Sequence, residues 1–370
     1  MPFELPALSA GKAGEAARQA NHNRRLLACW LFLLAFMILV MIALGGATRL
    51  TGSGLSIMRW APLSGALPPL SHADWERLYA LYRSIPQYRL VNQGFGLAGF
   101  QRIFWLEWVH RLWGRLIGVA VIVPLAWLWW QKRLVPGLAG RLLLLFILGG
   151  LQGVLGWLMV ATGFRPDSTA VAAPFLVAHL CLALVLYAAI LWTGLSVLNP
   201  APAPIEGARP LFRLTLLTTG LIALTIAAGG LVAGTHAGFI YNTFPLMDGR
   251  LVPSGYAALH PFLANLTRNV AAVQFDHRLL ATLTALATLA TVVRALGSHL
   301  PAGPRRAFAA LSLVVLLQYA LGIATLLLVV PITLAITHQV TATLLLTAAI
   351  VALHSTRAPK HDAARSGVSA

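Results

Sequence analysis

Four histidines, His110, His179, His277 and His338, stand inside long apolar runs of a 370-residue chain. An ionisable side chain in hydrocarbon is costly and is usually kept for function, so these four carry the strongest chemical signal in the sequence. Neutral imidazole binds iron through one ring nitrogen while an acceptor holds the other. Two histidines on facing helices of a four-helix bundle can therefore supply both axial ligands of one haem. A lone histidine in such a run could equally hydrogen-bond a neighbouring helix and do no more. Recurrence at matched positions favours the ligand reading, with His110 and His179 forming one site and His277 and His338 a second.

The neighbours of these histidines extend the reading. Arg111 and Arg278 each follow a histidine directly, and Arg49 ends the first apolar run near the same depth. A guanidinium there can make bidentate contacts with haem propionates, or can snorkel to lipid headgroups. Glu107 stands one helical turn before His110, whereas Gln274 holds the matching place before His277. A carboxylate can take or deliver a proton beside an iron and an amide cannot, which makes the first site the better candidate for chemistry. The alternative for Glu107 is an ion pair with Arg111, four residues on, that anchors the helix. Asp276 adjoins His277 and either orients it or faces the membrane interface. Gly45, Gly46, Gly149, Gly150, Gly229 and Gly230 permit close approach of helices or of a flat ring, although small residues also serve plain helix packing. Cys29 and Cys181 lie in apolar runs and read as small buried hydrophobes.

The elements that must position these residues are membrane spans. The chain is 58% hydrophobic and 10% charged, with a mean hydropathy of +0.78, far outside the range of soluble domains. Eight stretches reach the roughly twenty residues needed to cross the hydrocarbon, near 26–47, 104–130, 142–161, 173–197, 212–234, 270–293, 307–330 and 332–354. Residues 1–25 are polar, carry no signal-peptide pattern and read as a disordered cytoplasmic tail, as do residues 356–370. The formal charge of +17 marks orientation and attraction to anionic lipid rather than to nucleic acid. Lys and Arg number fifteen in the tails and the loops after spans 2, 4 and 6, against nine in the other loops. This puts both termini in the cytoplasm and the four histidines within the first two turns of spans 2, 4, 6 and 8, near the outer face. In the long outer loop, 48–103, Ser71 and Asp74 have capping-box spacing. Trp75, Leu78, Tyr79 and Tyr82 then recur at helical intervals, predicting an amphipathic helix lying on the outer surface, or, more plainly, a lid that shields whatever lies beneath it.

An internal repeat organises the whole. Gly45-Gly46 followed by Gly54 matches Gly229-Gly230 followed by Gly238, and the Glu107 to Leu112 run matches Gln274 to Leu279. Gln152 and Gly156 match Gln318 and Gly322, and His179 matches His338. The expected fold is all-α: a polytopic membrane protein of eight transmembrane helices, arranged as two pseudo-symmetric four-helix bundles related by a parallel repeat. The halves span 26–197 and 212–355, joined by a cytoplasmic linker, 198–211.

These residues resemble the haem A synthase family, in the class shared by proteobacteria and mitochondria. The resemblance covers nearly the whole chain beyond the N-terminal tail. It is carried by Gly45 to Leu55, Glu107-x-x-His110-Arg111, Gln152 to Val160, Asn242 to Met247, Gln274 to Arg278 and His338-Gln339. It implies that His277 and His338 ligate a haem b in the second half. His110 and His179 would flank haem O in the first, where Glu107 assists oxidation of a ring methyl to a formyl group. It further implies a bacterial inner membrane. Contacts would be with a haem O-forming farnesyltransferase, an electron donor and cytochrome oxidase assembly proteins. Some members carry a cysteine pair in the first outer loop; residues 48–103 hold none, so thiol chemistry is excluded there. Two other functions fit four intramembrane histidines: a di-haem cytochrome b that only carries electrons, and a transporter or assembly factor that hands haem on.

Overall fold

A computed structural model describes residues 7–61, 64–135, 137–200 and 202–358. Its eleven α-helices among those residues are α1 Ala7–Leu50, α2 His72–Arg83, α3 Pro86–Leu90, α4 Leu97–Trp130, α5 Ala139–Thr162 and α6 Ala173–Leu198, then α7 Ala208–Thr235, α8 Asn265–Arg268, α9 Val270–Leu296, α10 Ala302–Leu327 and α11 Ile332–Ser355. Eight of them, α1, α4, α5, α6, α7, α9, α10 and α11, are long and apolar enough to cross a membrane. In lipid every backbone polar group must be satisfied within the chain, which is why seven of the eight predicted apolar runs are helical throughout and the eighth, 307–330, as far as Leu327.

Three boundaries differ from expectation. Helix α1 continues outward to Ala7, so most of the stretch expected to be disordered is helical; Ala, Glu, Gln and Arg predominate there, and all are strong helix formers. Helix α4 begins at Leu97, which puts His110 in its fourth turn and not in the first two. Helix α10 stops at Leu327, where Val329 and Val330 turn out of the helix with φ of 59° and 58°. Residues 359–370 of the expected C-terminal tail lie outside the described residues, as do residues 1–6.

Helices α1, α6, α7 and α11 form the centre of the molecule: α1 packs on α6 and α11, α6 on α7 and α11, and α7 on α11. Helices α4 and α5 flank this centre through α1 and α6, and α9 and α10 flank it through α7 and α11. Leu27, Leu31 and Leu34 of α1, Leu184 and Ile190 of α6, and Leu345 and Ala349 of α11 fill the shared core. Two indoles tie α1 to α4 across the seam, Trp30 donating to the Ala120 carbonyl (2.7 Å) and Trp113 to the Met37 carbonyl (2.8 Å).

The loop between α1 and α4 folds as predicted. Ser71 caps α2 by accepting from the Asp74 amide (3.1 Å) and donating to the Asp74 carboxylate (2.8 Å). That hydroxyl contact, more than any other group, holds the Asp74 carboxyl below its ordinary value. Trp75 of α2 stands edge-on to Phe104 of α4 at 4.9 Å between centroids, while Tyr82 is fully buried against Phe100. These contacts make a second, smaller apolar core with Leu55, Ile85 and Ile103.

Candidate functional site

Each of the four histidines projects from one helix onto a glycine of another. Gly45 of α1 meets His110 of α4, Gly156 of α5 meets His179 of α6, Gly229 of α7 meets His277 of α9, and Gly322 of α10 meets His338 of α11. A Cβ would stand 3.4 Å from His110 Nε2 and 2.9 to 3.0 Å from Cε1 of the other three rings. At Gly156, Gly229 and Gly322 a larger residue would force the imidazole to move, whereas at Gly45 a Cβ would only touch the ring. Each expected couple draws its rings from two helices, α4 and α6 for His110 and His179, α9 and α11 for His277 and His338.

The polar atoms around the rings are incompletely satisfied. Nδ1 of His179, His277 and His338 is buried with no hydrogen-bond partner, and so is Oε1 of both Gln152 and Gln318. Gln152 donates to the His179 carbonyl (3.0 Å) and lies 3.4 Å from its Nε2, and Gln318 lies 3.5 Å from His338 Nε2. An orphaned buried polar atom costs about 1–3 kcal/mol. Four of the five recur in matched pairs, His179 with His338 and Gln152 with Gln318, and such a recurrence marks a place that a further group could complete. The two glutamines were legible only as repeat markers; their approach to the histidines emerges from the fold.

Above each couple a loop is held by one arginine. Arg111 donates to the carbonyls of Ile57 (2.7 Å) and Arg59 (3.3 Å) and to Glu107 (2.5 Å). Arg278 makes the matching set, to Tyr241, to Thr243 (2.8 Å) and to Gln274 (3.2 Å). Glu107 is buried, with its other oxygen accepting from the Ser56 hydroxyl (2.7 Å) and the Ile57 amide (2.9 Å). Gln274 instead donates to the carbonyls of Ala237 (2.9 Å) and Ile240 (2.5 Å). Both residues thus tie the loop to its helix, by opposite hydrogen-bond polarity. Arg278 keeps a buried Nε without a partner, a donor still open to an anion. Asp276 faces outward to accept from the Tyr256 hydroxyl (2.9 Å) and does not orient His277.

The halves are cross-tied beside the couples. Arg49 reaches from α1 to the C-terminus of α7, donating to the carbonyls of Ala233 (3.1 Å) and Gly234 (2.8 Å) and approaching His236 Nε2 (2.9 Å). Gln339 donates to the Ile42 carbonyl of α1 (2.9 Å). A fifth intramembrane histidine, His354, escaped the sequence reading because it closes the last apolar run. It lies at the far end of α11, between Trp192, Ser196 and Arg357, away from its fellows.

An all-helical membrane protein with two glycine-backed histidine couples is the class that fold and site define. The sequence matches the profile of the COX15-CtaA family, described as cytochrome oxidase assembly protein, over residues 28–350. It is 60% identical to heme A synthase of Granulibacter bethesdensis over 342 residues, 92% of this chain and 90% of that protein. It is 48% identical to heme A synthase 2 of Acidiphilium cryptum, over 91% of this chain and 93% of that one. Heme A synthase of Methylorubrum populi is 47% identical, over 87% and 84%. The chain belongs to the COX15-CtaA family of haem A synthases.

Proposed function

We propose that this chain is a haem A synthase, oxidising a ring methyl of haem O to the formyl group of haem A for use in cytochrome oxidase. The observation that carries the reading is the pair of histidine couples, each backed by glycines and each bordered by unsatisfied buried polar atoms. Among the described residues no group of three or more His, Cys, Asp or Glu side chains could hold a bare metal ion. Two imidazoles with no further donor suit an iron whose four equatorial positions a porphyrin already fills.

The residues fit a haem b at His277 and His338, which would serve as axial ligands, with Arg278 offering its open Nε to a propionate. When bound there, the haem supplies one-electron transfer. His110 and His179 would flank the iron of haem O, the substrate. Arg111 and Arg49 belong to this cofactor-binding shell as positioning residues: the first holds the loop over the porphyrin edge and the second holds the halves in register. Glu107 is the titratable group one turn from His110. Each hydroxylation of a methyl by dioxygen and two electrons takes up two protons and forms one water, and the carboxyl of Glu107, with Ser56 hydrogen-bonded to it, could deliver protons from the side of the loop.

The charge distribution supports a bacterial inner-membrane setting with both termini cytoplasmic and the histidines near the outer face. The chemistry of the reading calls for a farnesyltransferase that makes haem O, an electron donor and cytochrome oxidase assembly proteins as partners. The rival reading, a di-haem electron carrier, is favoured by one observation, the near-identical loop ties in the two halves. Incubating the purified protein with haem O, a reductant and oxygen, then separating the extracted pigments by chromatography, decides between them. Haem A appears if the synthase reading holds, and haem O is recovered unchanged if the chain only carries electrons.

A further inference from the structure

The loop over each couple is tied to its helix in the same way, and the second loop carries a further tie. Arg111 of α4 holds the carbonyls of Ile57 and Arg59, and Arg278 of α9 holds those of Tyr241 and Thr243. Between the two carbonyls stands one residue, Met58 in the first loop and Asn242 in the second. The Asn242 amide donates to the Gly238 carbonyl of its own loop (2.9 Å) and to the Leu326 carbonyl in the last turn of α10 (2.9 Å). A thioether has no hydrogen to give, so Met58 can make neither bond. Asn242 belongs to a rigid plate. The Thr243 hydroxyl donates to the Leu246 carbonyl (2.7 Å) and accepts from the Asp248 amide (3.0 Å), Met247 is buried, and Phe244 stands edge-on to Tyr319 of α10 at 6.5 Å.

The far end of the tie is under strain. Past Leu327 the Val329 amide returns to the Leu326 carbonyl (3.1 Å) and the Val330 amide to the Thr325 carbonyl (2.8 Å). A helix ending of this kind asks for a left-handed backbone, which glycine supplies at little cost. Here Val329 and Val330 supply it, with φ of 59° and 58°. Two β-branched residues persist there only where their surroundings hold them. Asn242 holds the Leu326 carbonyl, and the Val330 side chain is seated on Gly238, 3.1 Å from where a Cβ would stand. Counting from Gln152 and Gln318, the residue matching Val329 is Gly163, which keeps a right-handed backbone with φ of −80°. The first half therefore has neither the tie nor the strained turn.

We propose that Asn242 is the positioning residue that makes the second site a permanent one: by fastening the loop to α10 it fixes the two carbonyls that orient Arg278, and so keeps the open Nε of that side chain on a propionate and the loop shut over the ring. This rests on the haem b reading of the second half. Opening that loop leaves the Asn242 amide unpaired in a half-buried place and frees the strained turn. The first loop meets the α5 side through apolar contacts, Leu55 on Gly163 and Trp60 on Trp157. These part without stranding a polar atom, as befits a site that exchanges its porphyrin in every turnover.

The test uses the full-length protein in nanodiscs with its resident haem, and follows transfer of that haem to excess apomyoglobin. Asn242→Leu keeps the shape and removes both donors, and Asn242→Met installs the residue of the first half. Each should release the haem at least ~10-fold faster than wild type. Each should also lower its midpoint potential, because a guanidinium held at a propionate favours the reduced iron. Val330→Ala, a milder change that removes only the seat on Gly238, should fall between. Val329→Gly alone should release at the wild-type rate, and added to Asn242→Leu it should bring release part of the way back, since glycine takes the turn without strain. Wild-type release and potential in both Asn242 variants overturn the proposal. Faster release with an unchanged potential and no recovery on adding Val329→Gly also overturns it, because that marks a general loss of stability. A wild type with no b-type band overturns the haem b reading itself.

Discussion

The side-chain amide of Gln339, one residue after His338, occupies the place where a Cβ on Gly46 of α1 would stand. Gly45, the residue before, backs His110. Two adjacent glycines of the first half therefore touch a ring of their own couple and the immediate neighbour of a ring in the other. On α7 the arrangement is matched, Gly229 meeting His277 and Gly230 meeting Leu180, which follows His179. Gly46→Ala is expected to push Gln339 off the Ile42 carbonyl and to turn His338, at a cost of about 1–3 kcal/mol. The check is the resident haem spectrum: its reduced-state band should shift or broaden in this variant, although no ligand has been changed.

The role of Glu107 separates into an anchoring part and a protonic part. Glu107→Gln removes a charge from a pair whose side chains are only 3% and 17% exposed. Gln274 shows that an amide can serve the same loop, so the expected stability loss is modest, roughly 1–3 kcal/mol. Haem content should be unchanged while haem A formation falls about 10²-fold or more. A variant with normal haem A yield would assign Glu107 to anchoring alone.

The Arg49 contact with His236 carries a pH dependence. Arg49 donates to Nε2, which must be unprotonated to accept. Burial first, and then the Arg49 charge, hold His236 below the ordinary histidine value. A histidine depressed in the folded state stabilises fully above its unfolded pKa of about 6.5, and that contribution is lost as pH falls below it. Thermal melts in nanodiscs should therefore show a wild-type Tm that drops between about pH 7 and pH 5 by more than that of His236→Gln, whose amide oxygen accepts at either pH.

The outer-loop helix α2 carries a fourth prediction. Tyr82 is fully buried, donates to Gln87 (3.1 Å) and accepts from Asn92 (2.6 Å). Tyr82→Phe should cost about 1–3 kcal/mol by taking a hydrogen-bond partner from buried Gln87 and half-buried Asn92. Hydrogen exchange should rise in residues 72–92 and stay unchanged in α9 to α11.

How much was legible in the sequence follows from the range of each interaction. Lipid imposes a length and an apolar content on every span, so all eight could be read from composition. The four histidines could be singled out because His110, His179, His277 and His338 recur at matched intervals. The amphipathic period of Trp75, Leu78 and Tyr82 foretold α2. What stayed hidden depends on where distant segments cross. Gln339 reaching Ile42 and Arg49 reaching Ala233 have no local signal; Gly45, Gly156, Gly229 and Gly322 stand out in the repeat, but which ring each one backs does not. Glu107 was readable as a paired acid through Arg111, four residues on, but its bonds to Ser56 and Ile57 follow from a loop path with no period. The N-terminal extension of α1 was missed because polar composition was weighed above the helix propensity of an Ala-rich segment.

The central claim is that imidazole couples grip porphyrin iron, and the reduced-minus-oxidised spectrum of the purified protein tests it most directly. Wild type and His110→Ala should both show a b-type band from the second half, and His277→Ala and His338→Ala should each lose or displace it. A wild-type protein without that band, or one whose band survives unchanged when His277 and His338 are both replaced, would contradict the account.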